Sequence, residues 1–126
     1  MNITLFTSDS IRHKYLIKLL SSIADKIFVI QESRNRSSQS KKRSKLFQDY
    51  FKKVNQAELK IFSNIHDDTI KSLKNIKIIN IPYNDLYTRS LASLAEFLKS
   101  DIYITYGCSY IREGELLDFL IKKKNN

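Results

Sequence analysis

A chain of 126 residues, 42% apolar and with seven Tyr and seven Phe, has enough apolar side chain for one domain of ordinary size. No run approaches the roughly 20 apolar residues of a membrane span, the N-terminus has a strand pattern rather than that of a signal peptide, and a lone Cys108 excludes an internal disulfide or a cysteine-based zinc site. The formal charge of +9 is uneven, because residues 33–60 hold nine Lys or Arg against Asp49 and Glu58; such a patch attracts phosphates, RNA or an acidic surface.

In chain order, Asn2-Ile-Thr-Leu-Phe-Thr7 predicts a first strand. Ser10 stands where a helix N-cap belongs, ahead of Ile11, Tyr15, Leu16, Leu19, Leu20 and Ile23 at helical spacing. Lys26-Ile-Phe-Val-Ile-Gln31 is a short apolar run, as expected of a central strand covered on both faces. Residues 33–44 are polar and predict a loop, and a helix from about Lys45 carries Leu46, Phe47, Tyr50, Phe51 and Val54 on one side. Asp67 or Asp68 is placed to cap a short helix through Leu73. Asn75–Ile81 predicts a third strand ended by Pro82. A helix from Asp85 then buries Tyr87, Leu91, Leu94 and Leu98, and Asp101–Tyr106 predicts the fourth strand, with a helix over Glu113–Ile121 after it.

Strands separated by helical stretches give an α/β class: an open, mostly parallel, Rossmann-like sheet of about four strands with helices on both faces. Ligands of such sheets sit beyond the carboxyl ends of the strands. Those ends are the loops at Thr7–Ser10, Gln31–Arg34, Pro82–Asn84 and Gly107–Tyr110. The first loop lacks Gly-x-Gly-x-x-Gly and no Gly-Lys-Ser/Thr loop occurs, which argues against nicotinamide dehydrogenases and P-loop NTPases.

The opening Asn2-Ile-Thr-Leu-Phe-Thr-Ser-Asp-Ser-Ile-Arg-His-Lys-Tyr15, with a second strand closing on Gln31-Glu32, resembles the start of proteins in the formyltransferase superfamily. That superfamily includes methionyl-tRNA formyltransferase and the sugar N-formyltransferases. Ser100-Asp-Ile-Tyr-Ile-Thr-Tyr-Gly-Cys-Ser-Tyr-Ile111 with Glu115-Leu-Leu-Asp-Phe-Leu120 is similar to the fourth strand, folate-side loop and following helix of those enzymes. The two patches cover about half the chain in the family's order.

The resemblance implies 10-formyltetrahydrofolate as formyl donor and an amine, such as an amino sugar nucleotide, as acceptor. It implies a pterin held by the loop of Gly107, Ser109, Tyr110 and Ile111. The family's Asn-x-His loop and its later Asp have no counterpart after this segment, so no catalytic residue is carried over. The expectation is one truncated N-terminal α/β domain over residues 1–126, inactive alone. Without a preorganised donor for the developing oxyanion and a group to manage the amine's protons, such a chain binds at most.

Other residues have competing readings. Arg12 and His13, with Ser8 just before them, stand where helix-terminal amides favour an anionic substrate group, or they are ordinary residues of a helix. Ile79-Asn-Ile-Pro82 imitates the start of an Asn-x-His loop, but it precedes the fourth strand and Pro has no proton to exchange, so Asn80 reads as a strand end. His66, Asp67 and Asp68 diverge in direction as consecutive residues, which favours a helix cap over a metal site. Cys108 has no evident base and reads as a half-buried loop residue. No metal ligands are expected, and a cytoplasmic location without a membrane partner is. The open sheet edge suits self-association or a completing polypeptide. In the alternative reading the chain is a non-catalytic α/β binding module that uses its basic segment for RNA or another polyanion.

Overall fold

The computed structural model describes residues 1–33, 44–62, 70 and 73–125. Four strands, β1 (Asn2–Ser8), β2 (Lys26–Ser33), β3 (Ile76–Pro82) and β4 (Ile102–Tyr106), form one open sheet in the order β3-β2-β1-β4, with every pairing parallel. The α-helices are α1 (Ile11–Ser21), α2 (Lys45–Ile61) and α3 (Glu115–Asn125).

The sheet is α/β in the expected sense because its strands are apolar on both faces. In β1, Ile3 and Leu5 point to one side and join Ile17 and Leu20 of α1, Ile27 and Val29 of β2, and Ile70. Phe6 points to the other side and joins Ile30, Ile81, Leu94, Phe97 and Leu116. Alternation of side chains along each strand therefore builds two cores on one sheet. Thr4 is a buried polar residue within β1; its hydroxyl bonds the Phe97 carbonyl and lies 2.7 Å from Ser100 Oγ. At the amino edge, Asp101 accepts from the Asn2 amide at 2.9 Å, and the N-terminal ammonium pairs with Asp25, whose carboxyl it holds below its ordinary range.

Several elements depart from expectation. The buried row of α1 is His13, Ile17 and Leu20, whereas Tyr15, Leu19 and Ile23 are exposed. His13 is buried with its Nδ1 2.6 Å from Ser8 Oγ, on the same face as Ile17 and Leu20. Ser10 occupies the N-cap position, yet its side chain makes no capping bond. Ser44 does cap α2, accepting from the Phe47 amide at 3.3 Å. The predicted helix from Asp85 is instead two 3-10 segments, Leu86–Thr88 and Ala92–Leu98. Thr88 Oγ1 bonds back to Asp85, Ser93 Oγ bonds back to the Ser90 carbonyl, and Arg89 is extended, so local side-chain bonds compete with an α-helical ladder. The segment nevertheless buries Leu94 and Leu98 as expected, with Leu86 and Phe97 in addition, whereas Tyr87 and Leu91 of the expected stripe are only half-buried. The short helix ahead of Leu73 and most of the polar loop of 33–44 fall outside the described residues.

Phe6 lies with no exposure at the centre of the second core. Phe6→Ala is expected to cost about 3–5 kcal/mol in urea unfolding, while Leu46→Ala on the exposed α2 stays within about 0.5 kcal/mol.

Candidate functional site

The carboxyl ends of the strands converge on one buried acid. Glu32, at the end of β2's apolar run, is 0% exposed. Its Oε1 accepts from the Ser109 amide at 2.6 Å, and its Oε2 accepts from the Ser109 hydroxyl at 2.7 Å and the Asn84 amide at 2.7 Å. Asn84 sits at φ 66°, a left-handed conformation that Asn tolerates better than most residues. One carboxylate thus ties the loop after β3 and the loop after β4 to the end of β2.

Anchored in this way, the β4 loop lays Gly107 against α1. Gly107 has φ +74°, and a Cβ there would stand 2.2 Å from His13 Cε1, so the position needs Gly for both backbone and space. His13 is buried under that loop; Ser8 Oγ is 2.6 Å from its Nδ1, and Tyr106 meets the imidazole edge-on at 5.0 Å. Thr7 Oγ1 and Ser10 Oγ, before the first turn of α1, are buried without a hydrogen-bond partner among the described residues. Arg12 reaches Glu58 of α2 at 3.8 Å.

Between these parts lies a cleft of about 830 Å³. Ser8, Ser10, Arg12, His13, Gly107 and Cys108 form one wall, and α2 forms the other, in which Phe47, Phe51 and Val54 stand among polar and charged side chains. Its size is that of a small-molecule site, and its place beyond the carboxyl ends of β1 and β4 is where open parallel sheets hold ligands. The helix start supplies partly free amides, which favour an anionic group.

The residues singled out in the sequence divide into two groups. Ser8, Arg12, His13 and Gly107 come together at the cleft. Ser109 donates both its amide and its hydroxyl to Glu32, Ile111 packs against the second core, and Tyr110 stands 88% exposed. Glu32 itself was not singled out; the available signal was an acid ending an apolar strand. Asn64-Ile-His66 has Asn-x-His spacing, but it precedes β3 rather than following β4 and lies, with Asp67 and Asp68, outside the described residues. Asn80, expected at a strand end, lies inside β3, two residues before Pro82, where it accepts from Gln31 Nε2 at 2.8 Å. Among the described residues no group of three His, Cys, Asp or Glu is placed to hold a metal ion, and no helix is long and apolar enough to cross a membrane.

No protein-family model, curated protein or solved structure matches the chain.

Burial pushes the Cys108 thiol up from an ordinary 9.0 to about 11, with the Glu32 charge as a second cause. The folded state keeps a proton that the unfolded chain releases near 9.0. This contribution to stability is therefore complete below that pH and is lost as pH rises through about 11. Alkylation of the native thiol at pH 8 should be slower than in the urea-unfolded chain and should climb steeply above pH 9.

Glu32→Ala, which leaves the two buried donors of Ser109 and the part-buried Asn84 amide without their acceptor, should cost about 3 kcal/mol in urea unfolding. Gly107→Ala should also destabilise the fold, and it should shift the His13 ring resonances in NMR, where Leu46→Ala leaves them in place.

Proposed function

We propose that the chain forms the ligand-binding half-site of a 10-formyltetrahydrofolate-dependent formyltransferase that acts on an amine such as an amino sugar nucleotide. The observation that carries the proposal is the juxtaposition, across one cleft, of the two segments that resemble that family: Ser8, Arg12 and His13 after β1, and Gly107 after β4. The strand order β3-β2-β1-β4 supports it by placing β1 and β4 side by side.

The residues fit both ligands. Phe47 and Phe51 offer an aromatic wall to a flat pterin, and Gly107 leaves backbone open beside it. Ser10 Oγ, buried at the cleft without a partner, is a spare hydrogen-bonding group for a ligand. The bound folate would supply the formyl carbon. The start of α1 and Arg12 would orient the acceptor's anionic part, and Ser8 holds the His13 ring in place beside it. Transfer also requires a donor for the developing oxyanion and a group to take the amine's proton. No described residue is assigned these roles, so the chain is proposed to bind without turnover by itself. The edge of β4 is the natural place for a completing polypeptide or a second copy to add the rest, since its outer backbone groups are unpaired in the sheet.

Calorimetry with a stable folate analogue should give saturable binding, weakened about fivefold or more by Phe51→Ala through loss of stacking area. Arg12→Ala should weaken an amino sugar nucleotide and leave the folate analogue unaffected. Absence of heat with both ligands at millimolar concentration overturns the proposal.

A further inference from the structure

Helix α2 has a second face, which the cleft does not use. None of its seventeen residues is buried. Phe47, Phe51, Val54 and Glu58 turn toward the cleft and α1, whereas Leu46 and Ile61 do not line it and stand 82% and 72% exposed. At 3.6 residues per turn Leu46, Ala57, Tyr50 and Ile61 fall in one row, Ile61 at its edge nearest Val54, and of these only Tyr50 also lines the cleft. Lys53 and Lys60, seven residues apart, form the adjoining row, and Lys45 stands about a further 60° round the helix; Asp49 lies between Lys45 and Lys60, so three positive charges stand against one negative. The chain around this face carries a formal charge of +9.

We propose that this outward face of α2 is a docking surface for an anionic lipid bilayer, with Leu46 and Ile61 entering the headgroup boundary and Lys45, Lys53 and Lys60 pairing with lipid phosphates and carboxylates. An apolar row bordered by lysines suits a helix lying in the interface plane, where lysine stems follow the apolar surface and their ammonium groups reach the anionic headgroups. The expectation of no membrane partner rested on the lack of a spanning segment, and in-plane binding needs none. A second copy of the chain would bring the same positive face and is disfavoured by charge. Single-stranded nucleic acid fits the lysines, but it stacks on aromatic rings, and the two most exposed apolar residues here are aliphatic. The surface is independent of what occupies the cleft.

The test is co-sedimentation of the full chain with vesicles of phosphatidylcholine alone or mixed with phosphatidylserine, in low and high salt, with poly(U) binding measured in parallel. Binding is expected only to phosphatidylserine-containing vesicles and is expected to decline with salt. The double variant Leu46→Ala/Ile61→Ala keeps the charge and the helix, and should lower vesicle partitioning by about tenfold or more. Lys53→Glu/Lys60→Glu should lower it as well. Unchanged circular dichroism of both variants, expected for exposed positions, ties the loss to the surface. No sedimentation with phosphatidylserine vesicles overturns the proposal. So does undiminished binding of the alanine variant, and so does poly(U) binding without vesicle binding, which would assign the face to nucleic acid.

Discussion

The arrangement of the carboxyl end of the sheet depends on the buried carboxylate of Glu32. A charged group without solvent is sustained only when several donors converge on it, and here two amides and a hydroxyl do so. The three donors come from the loops after β3 and β4. β4 lies beyond β1 from β2, so the Ser109 contact draws the β4 loop back across the end of β1.

Everything at the polar wall of the cleft follows from that loop path. Gly107 is laid on His13, His13 is held between Ser8 and Tyr106, and the row of α1 that meets the sheet is set accordingly. The same carboxylate adds to the burial that keeps Cys108 protonated, so the cysteine at the cleft is a neutral thiol rather than a nucleophile. One anchor therefore fixes geometry on one side and suppresses reactivity on the other.

Helix α2 contributes in a different way. Among the described residues its contacts with the rest of the molecule include the Arg12–Glu58 pair, and Phe62, just beyond its end, meets Tyr15; it buries no residue of its own. Its strong amphipathicity is spent partly on the cleft and partly on solvent. A helix of this pattern would be expected to be core in a domain of this size. Its exposure, with lysines beside the apolar row, is what distinguishes it from α1 and α3.

The sequence by itself determined the α/β class, the four strands and the parallel sheet, because continuous apolar runs of four to eight residues separated by helical periodicity have few other solutions. It also determined that Ser8, Arg12, His13 and Gly107 stand at carboxyl ends of strands, since that follows from chain order alone. Tertiary structure decided which neighbouring residues face a ligand. Ser109 and Ile111 lie one and three residues beyond Cys108, yet they turn to Glu32 and to the core, because loop side chains have no period and go where buried partners require. It likewise decided that His13 is interior and Tyr15 exterior, and that the Asp85 segment winds as 3-10 turns. In each case a specific contact from elsewhere in the chain, or a local side-chain bond, outweighed a propensity worth a fraction of a kcal/mol per residue.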